Sequence, residues 1–179
     1  MAQFKAFSPH AEVMGGVVMS VINAMGAFQG LARRILGQHG MADTQEQKWY
    51  PMQSWLDALK MIAEEIGPTT LFHVGTQIPS RADIDPSINT IEKALTALDE
   101  AYRSAHRGGD VGSLRFSRTS GRSGVVEAKT PYPCDFDRGV IHSLARRFEP
   151  SNAVLDVRHD DYMPCKKQGG EYCTYSVIW

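Results

Sequence analysis

The chain has 179 residues, enough for one domain with a core of its own. A formal net charge of −1 argues against a nucleic-acid binder, which carries a basic excess, and no apolar run approaches the length that crosses a bilayer. Three cysteines, an N-terminus without the pattern of a secretory signal, and a length that needs no disulfide staples point to a reduced, cytoplasmic protein.

Residues 11–36 carry a helical apolar pattern interrupted by glycines at 15, 16, 26 and 30, which weaken a helix but permit close packing on another element or chain. Residues 37–51 are polar and read as a loop ending at Trp49-Tyr50-Pro51. The spacing of Trp55, Leu59, Ile62 and Ile66 predicts an amphipathic helix over 52–66, stopped by Gly67-Pro68. A short helix, TTLFHVGTQI, follows and ends at Pro79, and 80–87 reads as a loop. Residues 88–106 give the strongest helical stripe (Ile88, Ile91, Leu95, Leu98, Tyr102, Ala105), ended by Gly108-Gly109.

The character then changes. LRFSR and GVVEAK flank the turn-rich TSGRS and predict a β-hairpin. Residues 136–148 read as a helix, and AVLDVRH and YCTYSVIW as strands. The expected architecture is a single α+β domain over 1–179: N-terminal helices, to about residue 107, packed on a C-terminal antiparallel sheet. The basic pairs Arg33-Arg34, Arg146-Arg147 and Lys166-Lys167 read as solvated surface.

No nucleophile elbow, phosphate loop or zinc-protease helix is present, so an enzyme is the less favoured reading. Asp135 and Asp137 lie beside Cys134, where one of them suits a helix N-cap. Cys165 and Cys173 stand eight positions apart around Gly169-Gly170 in CKKQGGEYC. Spacing alone leaves open metal ligation, a disulfide or inert burial, and favours burial.

The stretch from about 88 to 179 resembles the vinyl-reductase-type (4-vinyl reductase) ligand-binding domain, which also serves as the sensor module of phenol-responsive transcription activators. The resemblance is carried by Cys134, five positions before Gly139 at the start of a helix, and by the pair Cys165 and Cys173 around a glycine turn. It implies a structural zinc site on these three cysteines. The family's fourth ligand is a glutamate, at the position of Tyr162 here; Asp161 is the expected substitute, with Asp160 and His159 as alternatives.

The pattern from Trp55 to Pro79 is similar to the wider group that includes the haem-nitric-oxide-binding sensors and the TRAPP vesicle-transport subunits. That similarity puts Tyr102 near the position of the haem-ligating histidine, with His106 one turn later; the Tyr-x-Ser-x-Arg motif of those sensors is absent. The leading expectation is a stand-alone small-molecule sensor of the vinyl-reductase type, with an apolar pocket between the helices and the sheet for an apolar or aromatic ligand; by position its walls include Trp55, Leu59, Phe72, Leu98 and Tyr102, with His73 facing it. The alternatives are a haem or tetrapyrrole protein that senses gas or carries pigment, and a TRAPP-like module whose first helix forms a homodimer. A chain ending at Trp179 implies an output protein as partner.

Overall fold

Two layers meet along one helix. The computed structural model describes residues 3–80, 84–152 and 154–179. In chain order the helices are α1 (Gly15–Ala24), α2 (Gln29–Gln38), α3 (Met52–Ile66), α4 (Thr69–Ser80), α5 (Ile91–Thr96), α6 (Leu98–Ser104) and α7 (Cys134–Arg146). The strands are β1 (Glu12–Met14), β2 (Trp49–Pro51), β3 (His106–Arg107), β4 (Ser113–Ser120), β5 (Ser123–Lys129), β6 (Asp156–His159) and β7 (Cys173–Ile178). The larger sheet is antiparallel throughout, in the order β4-β5-β7-β6; a small one runs β2-β1-β3. This is the expected α+β class.

The apolar stripe of α3 behaves as its spacing dictates. Trp55, Leu59 and Ile62 are fully buried in the helical layer, each stabilising the fold by about 2–3 kcal/mol. In the second layer Ile91, Leu95 and Leu98 pack with Val126, Tyr175 and Val177 of the sheet. Helix α7 serves both layers: Phe136 joins the helical core, while Ile141, Leu144 and Ala145 join the sheet core.

Helices α4 and α7 cross at backbone contact. A Cβ at Gly75 would lie 2.2 Å from the Phe136 carbonyl oxygen, and one at Gly139 would lie 2.2 Å from that of Phe72. The glycine five positions after Cys134 is therefore a packing requirement.

Several expectations need correction. The stretch 11–36 is not one helix: it opens with β1 and breaks at Gly26, whose φ of +50° bends α1 from α2 by 116°. The stretch 88–106 is two helices, broken at Ala97, and His106-Arg107 leave the helix to pair with β1. Pro79 lies within α4 rather than after it. Pro133, not Asp135 or Asp137, holds the N-cap position of α7. Residues 81–83 of the expected loop, and Ala153 of the expected strand, lie outside the described residues. No single helix among the described residues is long and apolar enough to cross a bilayer.

Candidate functional site

A cavity of about 580 Å³ lies where the two layers part. Its walls come from α1 (Met14 at its start, Val17, Met19), the end of α4 (Ile78, Pro79), α5 and α6 (Ala94, Leu98, Tyr102), and α7 (Phe136, Val140, Leu144). The volume and the apolar lining fall within the ordinary range for a small-molecule site. Among its described lining residues the charged groups are Glu46, Asp85 and Asp137.

Two polar groups on this wall, Tyr132 and His106, belong to a hydrogen-bonded chain that starts in the helical core. The Trp55 indole N–H donates to Tyr132 Oη at 3.2 Å. Tyr132 Oη lies 2.8 Å from His106 Nε2, and His106 Nδ1 lies 2.6 Å from the Tyr102 carbonyl oxygen. A carbonyl only accepts, so Nδ1 carries the proton and Nε2 accepts from the Tyr132 hydroxyl. Burial holds His106 down at about 4, against the pull of the Tyr102 carbonyl, so the ring is neutral at physiological pH. The Tyr102 hydroxyl donates to the Val111 carbonyl, and burial pushes its pKa well up.

Of the expected wall residues, Leu98, Tyr102 and His106 line the cavity. Trp55 and Leu59 are buried in the helical core; Trp55 reaches the wall only through Tyr132. Phe72 is half-buried against Arg138 and His142, and His73 is exposed. Gly26 and Gly30, expected at a dimer face, have open space around them, and Phe28 between them is exposed.

A second site lies behind α7. Cys134 opens that helix, His159 ends β6, Cys165 lies in the following loop and Cys173 begins β7. Their ligand atoms all lie within 4.8 Å of one another. All three thiols are buried and free. The Sγ atoms of Cys134 and Cys173 are 3.0 Å apart. Of this pair Cys173 is held low, by the hydrogen bond from Cys134 and by the Lys166 ammonium, while the same contact pushes Cys134 up.

The fourth donor in this group is His159, not Asp161. Asp161 Oδ1 lies 2.7 Å from His159 Nδ1 and its side chain is 89% exposed. A carboxylate accepts, so Nδ1 carries a proton, which leaves Nε2 as the ring nitrogen that can ligate. That atom is buried and makes no hydrogen bond. A buried ring nitrogen beside three thiols, with a carboxylate behind the ring, is a Cys₃His donor set that could hold a metal ion. Strand alternation was the signal that picks it out. Val157 and His159 point inward while Arg158 is exposed, and Asp160 and Asp161 lie past the strand end.

Sequence reasoning also missed Lys166. It reads as half of a solvated basic pair, yet it is 2% exposed, and its ammonium is bound to Asp137, Thr130 and the Tyr132 carbonyl. Asp137 lines the cavity. Burial pushes its carboxyl up, and Lys166 and Thr130 pull it back.

No protein-family model matches the chain, and no curated protein matches it. Solved structures do. A triple mutant of an H-NOX protein from S. oneidensis in the Fe(II) state aligns with a TM-score of 0.71 at 13% identity, covering 91% of this chain and 94% of that one. The Fe(II) unliganded H-NOX protein from K. algicida gives 0.68 at 11%, covering 92% and 95%. An oxygen-binding H-NOX domain related to soluble guanylate cyclases, in its oxygen complex, gives 0.67 at 14%, covering 92% and 94%. At such identities the likeness shows the fold alone: the chain has the haem-nitric-oxide-binding fold. The narrower vinyl-reductase comparison rests on the cysteine spacing.

Proposed function

We propose that the chain is a small-molecule-sensing domain on the H-NOX fold, taking an apolar ligand in the cavity between α1 and the α5–α6 pair. The observation that carries this reading is the cavity itself, mostly apolar in its lining, with the Tyr132 and His106 polar atoms on its wall already paired. Acidic groups on the wall disfavour a carboxylate ligand and suit a neutral or cationic one. Cys134, Cys165, Cys173 and His159 hold a structural zinc ion that fastens α7 to the C-terminal strands. With four protein donors the shell is closed, so its contribution is to stability.

Titrating the protein with neutral aromatic compounds and with their carboxylate analogues tests the ligand class. Neutral compounds are expected to raise the melting temperature, and Leu98→Trp, which fills the cavity, is expected to abolish that rise. A response to carboxylates alone contradicts the reading.

Haem is the second reading. The likeness to H-NOX domains backs it more directly than it backs zinc, and Tyr102 and His106 both face the cavity. The wall does not fit it as it stands. The His106 lone pair is taken by Tyr132, its other nitrogen by a carbonyl, and the Tyr102 hydroxyl by Val111. Iron at either residue requires one of these buried bonds to break. Adding haemin to the purified protein separates the readings. No sharp Soret band is expected; a stoichiometric band lost in His106→Ala or Tyr102→Phe would establish haem.

A further inference from the structure

The loop that carries the Cys165 thiol also reaches the cavity wall, through one side chain. From the turn after Cys165, the Lys166 ammonium meets four acceptors: Thr130 O at 3.0 Å, Thr130 Oγ1 at 2.9 Å, Tyr132 O at 2.8 Å and Asp137 Oδ2 at 2.8 Å. Thr130 Oγ1 in turn donates to Asp137 at 2.6 Å. Asp137 and Tyr132 are both cavity residues. The turn itself closes on Cys165, whose carbonyl accepts from Gln168 and Gly170. Cys165 is one of the four clustered donors, so whatever anchors its thiol also holds Lys166 under the cavity floor.

We propose that Lys166 is a positioning residue that couples the metal cluster to the cavity, neutralising the cavity carboxylate only while the Cys165–Gly170 turn is held by ligation. A buried ion pair broken from one side leaves an uncompensated charge, and the cost is several times that of losing a surface pair. When the thiols are released, the long lysine side chain can retreat to water. Asp137 is then left in the wall with only the Thr130 hydroxyl, and an apolar ligand meets a carboxylate whose charge is no longer neutralised. Linkage makes the effect reciprocal: a bound ligand tightens metal binding by the same factor as metal tightens ligand binding. This inference rests on the cavity and cluster readings above and adds their mutual dependence.

The test uses the full chain and the neutral environment-sensitive dye prodan as the cavity probe. Dye affinity is measured for the zinc-loaded protein and after stripping with a chelator. Wild type is expected to lose affinity on stripping by roughly 5- to 150-fold, the usual span of coupling between two sites. Asp137→Asn keeps the hydrogen bonds but not the charge; whatever its own affinity for the dye, the ratio between its zinc-loaded and stripped samples is expected to fall close to one. Lys166→Met, with zinc loaded, is expected to bind dye about as weakly as stripped wild type. Equal dye affinity of wild type with and without zinc overturns the proposal. So does full zinc dependence in Asp137→Asn, or wild-type affinity in zinc-loaded Lys166→Met. Dye that binds no sample, or binds Leu98→Trp as well as wild type, removes the cavity reading itself and the coupling with it.

Discussion

His159 and Asp161 are joined at 2.7 Å through Nδ1 and Oδ1, and the joint aims the other ring nitrogen into a nest of three thiols. The two residues therefore have unequal roles. His159→Ala removes a donor and is expected to cost most of the zinc affinity. Asp161→Asn loosens the ring's orientation and is expected to cost roughly 10- to 100-fold while one zinc per chain is still bound. Competition against a chromogenic zinc chelator measures both. Equal losses would remove the distinction between ligand and support.

Cys165→Ser is expected to abolish stoichiometric zinc and to lower the melting temperature, because binding energy at a structural site is folding energy. Metal analysis and a melting curve on the same sample decide it. An unchanged curve contradicts a structural role for the cluster.

Gly139→Ala tests the α4–α7 crossing. Its methyl group would meet the Phe72 carbonyl oxygen at 2.2 Å, a backbone atom that moves only with its helix. Forced separation of the pair is expected to cost about 1–3 kcal/mol in a urea titration. Gly30→Ala is the control: it sits in α2 with nothing within 4 Å, and the change is expected to be neutral or stabilising by up to about 1 kcal/mol. A neutral Gly139→Ala would mean that the helices are not in backbone contact.

The His106 ring gives the fold a pH signature. Its pKa is about 4 when folded against 6.5 when free, so between those values the unfolded chain binds the extra proton. The contribution is complete above pH 6.5 and is lost as the pH falls through that window toward 4. Its full size is roughly 3 kcal/mol. Unfolding by urea across this range, compared between wild type and His106→Gln, isolates it: the variant is expected to show a shallower decline. Parallel curves would mean that His106 is accessible to water.

Local regularities were legible in the sequence. Helix α3 announced itself by one apolar stripe and a Gly-Pro stop, and the β4–β5 hairpin by its turn residues. What was hidden depends on partners far along the chain. His106 pairs with Val13 in β1, and neither segment alone signals a strand. Lys166 looks like a surface cation because its carboxylate, Asp137, lies 29 positions earlier. Among three consecutive polar residues, only the alternation of β6 selects His159 over its neighbours as the fourth donor. The cavity wall contributed by α1 was missed because its glycines spoke for packing rather than for a pocket.

Native mass spectrometry of the purified chain tests the central claim most directly, since it weighs metal and ligand together. The expected spectrum shows one zinc per chain and, where a ligand is retained, an adduct far lighter than iron protoporphyrin. A spectrum of metal-free protein carrying stoichiometric haem would contradict both the clamp and the ligand class.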